Sequence, residues 1–245
     1  MEKIACVLWK PAGVPDDVFG KGLRGAAPEL ARLGAINVRV NVVDEHVTAG
    51  TSARVGTMDP PKAAFVTFWL DEADAVQGSR SEPKASEDRQ GRTLLGALSA
   101  HASRVAAYLV VESIPLRNTT QVVGPGERTP GFNLVTGIVP KDGLAYDEFI
   151  HLWHTEHRKV ALETQSTFAY VRNEIVRALT PGAPEWAAVV EESFPIAALT
   201  DQAVWYAATG SPARLDENRR RMMQSCLAFL ALDRVESHPM SEYVF

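Results

Sequence analysis

The 245-residue sequence predicts an α+β fold built from two consecutive β-α-β-β-α-β units, each ferredoxin-like. Three observations lead there. Apolar runs of strand length and segments of helical period follow one another in that order, and the order occurs twice. A Gly/Pro-rich linker, 118–130, separates the two occurrences. An offset of 130 positions brings Gly13 onto Gly143, Asp17 onto Asp147, Phe19 onto Phe149, Arg104 onto Arg234 and Glu112 onto Glu242, at equivalent points of the two units. Two such units can bury their open sheet faces by packing sheet against sheet within the chain. The expected organisation is a unit over 1–117, the linker 118–130, and a second unit over 131–245.

Each element has its own warrant. IACVLW, 4–9, is an apolar run of strand length, and KPAGVPDD turns after it. Segment 18–33 carries Phe19, Leu23, Ala26, Ala27, Leu30 and Leu33 at helical spacing. INVRVNVV, 36–43, alternates and is rich in β-branched residues; AAFVTFWL, 63–70, is the third strand. Segment 77–92 holds no apolar residue larger than Ala85 and reads as an exposed insertion. A short helix, 93–101, and a strand, 105–114, complete the first unit. In the second, 132–139, 168–176 and 186–194 are strands, 147–162, 200–208 and 217–231 are helical, and 234–245 is extended.

Composition narrows the function. The formal net charge of -5 gives no support for nucleic acid or an anionic membrane as partner. No apolar run approaches the roughly 20 residues of a membrane span, and the N-terminus does not read as a signal peptide, so a cytoplasmic protein is expected. Cys6 and Cys226 sit in apolar segments and read as two buried thiols rather than a disulfide. No G-x-S-x-G, H-E-x-x-H, Walker loop or Rossmann fingerprint occurs. GPGERTPG, 124–131, follows no nucleotide-binding strand and is linker, and ENRRRMM, 217–223, is a solvated helix face. Trp186 and Trp205 read as packing.

The informative stretch is DEFIHLWHTEHRKV, 147–160. On a regular helix with Phe149 at zero, Val160 falls at about 20°, Trp153 at about 40°, His157 at about 80° and Glu156 at about -20°. His151 falls at about 200°, on the charged face, so the outer two of the three histidines stand about 120° apart and cannot converge on one ion. No metal is expected. The apolar stripe is Phe149, Trp153 and Val160, with His157 on its edge, where an imidazole of ordinary pKa can exchange a proton near neutral pH. Ala145 takes the N-cap position without a capping side chain, though Asp147 and Glu148 suit the positive helix end. Glu156 reads either as a substrate-orienting group or as a surface ion-pair partner of Arg158 or Lys159. Tyr170 reads as cavity wall or as core, with Asn173 on the opposite face of its strand.

F-x-x-x-W-x-x-x-H over Phe149, Trp153 and His157, the Y-V-x-N of Tyr170, Val171 and Asn173, and the closing E-Y-V-F of 242–245 together resemble the EthD family of the dimeric α+β barrel superfamily. The resemblance covers about 132–245. It implies ferredoxin-like units paired through their sheets into a barrel, here an intramolecular one, with a small-molecule cavity between helix and sheet. It also implies that His157 matches the family's conserved histidine and Trp153 its tryptophan. At the 130-residue offset Leu23 and Ala27 stand in their places, so the first unit looks like a degenerate copy without the site.

The expected function is an enzyme acting on a small aromatic or polycyclic oxygenated compound in one apolar cavity of the second unit. His157 is the general acid/base for dehydration, cyclisation or decarboxylation, and Trp153, Tyr170, Phe149 and Glu156 hold the substrate, with no cofactor. A cofactor-independent monooxygenase is the second reading, and a non-catalytic protein binding haem or another small ligand through His157 the third. A homodimer stays open.

Overall fold

The computed structural model describes residues 1–77 and 93–245; the insertion expected over 77–92 lies, Gln77 aside, outside the described residues. The first half runs β1 (Glu2–Trp9), α1 (Asp16–Arg32), β2 (Ile36–Val42), β3 (Ala64–Leu70), α2 (Leu94–Ser99) and β4 (Arg104–Leu116). The second runs β5 (Phe132–Ile138), a three-part helix made of α3 (Tyr146–His151), a π-helical segment (Leu152–His157) and α4 (Arg158–Thr164), then β6 (Ala169–Ala178), β7 (Ala188–Phe194), α5 (Gln202–Trp205), α6 (Pro212–Phe229) and β8 (Glu236–Val244).

Each half has the ferredoxin-like strand order, β4-β1-β3-β2 and β6-β7-β5-β8. β2 pairs with β8 and β4 with β6, all antiparallel, so the two sheets join edge to edge into a closed eight-stranded barrel. The dimeric-type α+β barrel is thus complete within one chain. Closure pairs both edges of each sheet, the β2–β8 edge only in part, which removes most of the usual hazard of exposed backbone donors and acceptors.

β1 is buried on both faces, because one faces the helices and the other the barrel lumen, so it reads as a continuous apolar run. Ile4, Cys6 and Leu8 join Phe19, Leu23, Ala27 and Leu30 of α1 in an apolar layer outside the barrel. Ala5 and Val7 point inward with Phe65, Tyr108, Val135, Val189 and Met240 and fill one end of the lumen.

The other end of the lumen is polar. Lys3 is 3% exposed and ion-paired with Glu112, with Glu191 at 3.9 Å. Asn173 Nδ2 donates to Glu191 Oε1 at 3.0 Å, and Asn133 Nδ2 donates to Asn41 Oδ1 at 2.9 Å. A lysine buried this deeply is tolerated only because carboxylates meet it. A cavity of about 390 Å³ opens there, lined by residues of both halves.

The two seams differ. β4 and β6 stay paired from Tyr108↔Ala178 to Leu116↔Tyr170, whereas β2 and β8 share four register pairs, Arg39↔Val244 to Val42↔Ser241. The rest of β8 pairs with β5 alone, and on its other side the bridge Val55↔Ser237 takes the place of a strand. The linker covers the far end of β8, with Thr129 N–H donating to Glu242 O at 2.9 Å.

Most predicted elements stand within two or three residues of their place. The helix expected over 200–208 shortens to α5, which Asp201 caps by accepting from Ala203 and Val204 N–H. The one expected over 217–231 starts earlier, at Pro212, because Ser211 caps it and proline suits the first helical turn. Both thiols are free, Cys6 buried and Cys226 partly so, and burial pushes both up in pKa. Among the described residues, no helix is long and apolar enough to cross a membrane.

Candidate active site

The site residues sit on a helix that is not a regular α-helix. Leu152–His157 closes i→i+5 hydrogen bonds and so holds one more residue per turn than its flanks. Its buried residues are therefore Phe149, Trp153, His157, Ala161 and Thr164 in one line. This corrects the regular wheel. His157 moves from the edge of the stripe to its middle, at 8% exposure, and Ala161 replaces Val160 in the core. Glu156 moves the other way: its side chain is 62% exposed, 3.9 Å from His151 Nε2, rather than on the apolar side. The extra residue in the turn rotates it into solvent. Ala145 does occupy the N-cap without a side-chain hydrogen bond.

Phe149, Trp153 and Tyr170 are each 1% exposed and pack with Val190 of β7 and Phe229 of α6. Trp153 Nε1 donates to the Tyr170 hydroxyl at 3.0 Å, which leaves the tyrosine O–H free to donate elsewhere. His157 packs against Phe229 with ring centroids 4.8 Å apart and planes tilted by 56°, and its Nδ1 meets Ser225 Oγ at 2.9 Å. Among the described residues nothing bonds its Nε2. Burial lowers the imidazole pKa to about 4, so the ring is neutral at neutral pH instead of titrating there as its free value suggests.

Glu192 and Arg172, which the sequence analysis did not single out, complete the cluster together with His154. Glu192 of β7 lies directly across from Tyr170 of β6. Its stem is half-buried, but its carboxyl oxygen Oε1 is shielded from solvent and has no partner, and this desolvation raises its pKa to about 7. Arg172 of β6 lies 5.7 Å from the Trp153 ring and donates through Nε to Ser113 Oγ, with Nη1 buried and unpartnered. His154 Nε2 is also buried and unpartnered; desolvation, then Arg172, lower its pKa. Glu192 was half legible. In an alternating strand buried on both faces, the pair Glu191–Glu192 must bury one carboxylate on each face. Glu191 serves the lumen and Glu192 the helix layer.

The two helix layers contrast chemically. The layer under α1 is apolar throughout, with Leu23 and Ala27 at 0% and 1% exposure where Trp153 and His157 stand in the other. The layer under α4 and α6 holds the buried unpartnered atoms of Glu192, Arg172 and His154. Burying a polar group without a partner costs about 1–3 kcal/mol, so such a set marks a place built to meet something else. The layer is closely packed, however. Two cavities lie away from His157: the polar mouth of the lumen, and one of about 360 Å³ near Lys62 and His238.

No protein-family model matches the sequence, and no curated protein does. Solved structures do match in shape. One is described as an anthrone oxidase-like protein, with a TM-score of 0.55 and 13% identity, covering 100% of this chain and 91% of that one. A monooxygenase-like protein from Lactobacillus acidophilus has a TM-score of 0.45 at 8% identity, covering 99% and 93%. A chlorite dismutase-like protein has a TM-score of 0.43 at 13% identity, covering 100% and 95%. At such identity the likeness is one of fold, and the fold is the dimeric α+β barrel.

Proposed function

We propose that the C-terminal helix–sheet layer is the active site of an enzyme for small oxygenated aromatic or polycyclic compounds, with His157 moving the proton in a lyase- or isomerase-type step. The observation that carries this is the pair of oppositely displaced titrations in one layer: His157 held neutral and Glu192 held protonated up to about pH 7. Groups pushed apart in this way divide the roles of base and acid between them. His157 accepts a proton through Nε2 while Ser225 fixes the ring through Nδ1. Glu192 is the acid. The Tyr170 hydroxyl and Arg172 Nη1 meet substrate oxygens, and Trp153 and Phe149 wall the ring system. The EthD resemblance supports the same histidine and tryptophan. Glu156, exposed, drops out of the substrate-holding set.

Because the layer is closed, admission of substrate moves the 152–164 helix or α6 aside, as lids commonly do. A neutral base that deprotonates a phenol also begins cofactor-independent oxygenation, which is the second reading. A panel of hydroxylated aromatic and polycyclic compounds, assayed for conversion with an oxygen electrode in the cell, tests both. Conversion without oxygen uptake supports the first reading and stoichiometric uptake the second. Undiminished conversion by a His157→Ala protein would remove both.

A further inference from the structure

The weakly zipped seam between β2 and β8 opens onto groups that neither the lumen network nor the helix layer uses. Below the last shared pair, Val42↔Ser241, β8 continues from Met240 to Glu236 with only the single bridge Val55↔Ser237 on that side instead of a strand. The gap holds the cavity of about 360 Å³. Pro11, Val43, Val47, Pro61 and Pro239 give it apolar walls, and Lys10, Asp16 and Arg54 also line it. Its inner end is His238, 1% exposed, and Lys62, 1% exposed.

The inner end is fixed by hydrogen bonds that leave two acceptors facing each other. His238 Nδ1 lies 3.0 Å from Lys62 O, so the ring donates there and Nε2 carries the lone pair. Glu236 Oε1 accepts from Thr57 N at 2.6 Å and Met58 N at 2.8 Å. These bonds aim Oε2 at His238 Nε2, 3.7 Å away. Both atoms are buried and neither has a partner. The loop is moulded to the carboxylate, since a Cβ on Gly56 would stand 2.0 Å from Oε2. Lys62 Nζ donates to Glu236 O at 2.5 Å and lies 5.7 Å from the Trp186 ring. Desolvation, with Lys62 and Arg54 close by, lowers the His238 pKa to about 3, so the imidazole cannot supply the missing proton itself. The same two cations oppose a metal ion there. Two bare acceptors at this spacing call for a neutral donor, and proline-rich walls suit a flat ring.

We propose that this window in the barrel wall is a second binding site, for a ring-sized compound whose hydroxyl donates to His238 Nε2 at the inner end, with the Glu236 carboxylate behind the imidazole outside the lining. The volume is that of a small-molecule pocket. Arg54, exposed on the cavity lining, suits a ligand that carries an acidic group at its outer end. The site stands apart from the His157 layer and does not rest on it.

The test is calorimetric titration of the 245-residue protein with 2-naphthol and with 2-methoxynaphthalene, the same ring without the donor. Naphthol should bind at least about tenfold more tightly, the loss expected when a buried acceptor is left unmet. His238→Phe should bring naphthol down to the affinity of the ether and leave the ether unchanged. Ala12→Trp, at an exposed lining position, should weaken both ligands at this site, and His157→Ala should leave this binding event in place whatever it does to a separate one at the helix layer. Should His238→Phe fail to fold, judged by its melting curve, the naphthol-to-ether ratio and the Ala12→Trp protein decide. Equal affinity for the two compounds, no naphthol binding, or naphthol binding lost in His157→Ala and intact in Ala12→Trp would each overturn the proposal.

Discussion

Replacing Glu192 by Gln should change how stability depends on pH, and the sign follows from the direction of its shift. The carboxyl pKa rises from 4.5 to about 7 on folding, so between those values the native state holds a proton that the unfolded chain has released. Stability from this group is therefore full below about pH 4.5 and is lost as pH rises through about 7. At 1.36 kcal/mol per unit the loss is about 3 kcal/mol, an upper figure because the stem is half-buried and water can relax around the charge. His157 acts in the opposite sense. Its pKa falls from 6.5 to about 4, so its contribution is present above 6.5 and lost as pH falls through about 4. The two slopes partly cancel in the native protein and mask each other in a single profile. The difference between wild type and Glu192→Gln isolates the carboxyl. Urea unfolding of both proteins at pH 5 and pH 8 should show the Gln protein gaining about 2–3 kcal/mol relative to wild type at the higher pH. Parallel profiles would refute the reasoning: Glu192 would then be solvated in the folded state, and the acid of the proposed mechanism would be lost with it.

Other outcomes follow from the same geometry. His157→Ala should lower turnover by about 10²-fold or more, whereas His151→Ala, 65% exposed at its side chain, should change turnover little and stability by less than about 0.5 kcal/mol in kinetic and denaturation assays. Trp153→Ala should cost about 3–5 kcal/mol in a denaturation series, since the ring is 1% exposed, while Trp153→Phe should cost about 1 kcal/mol through the lost bond to Tyr170. Gly137→Val should destabilise by about 1–3 kcal/mol or more in the same assay, because even a Cβ there would stand 2.5 Å from the Trp186 indole.

Much of the fold was legible because periodicity reports which faces are buried. The run ACVLW and the stripe Phe19, Leu23, Ala27 suffice for β1 and α1, and their repetition after residue 130 gives the tandem. Two things were not legible. A π turn has no sequence signature of its own; the surplus residue in 152–157 is forced by packing Phe149, Trp153 and His157 on one line against β6 and β7. Regular spacing therefore placed Glu156 inward and Val160 in the core, one residue out of phase. The lumen was the second. Lys3, Asn41, Asn133 and Glu191 lie on strands whose alternation reads as a solvent face, and only closure of the barrel turns that face inward. His238 and Glu236 were hidden for the same reason, in a segment that read merely as extended.

Closure within one chain has a genetic corollary. In a barrel assembled from two identical subunits, every substitution arrives twice, once on each side of the two-fold axis. Here a substitution arrives once. Ala27 can fill an apolar layer while His157, at the matching place, keeps a polar one, and neither choice constrains the other. The β2–β8 seam can likewise stay ajar while the β4–β6 seam is zipped. The association of the halves is also unimolecular, so dilution does not dissociate them as it would a dimer.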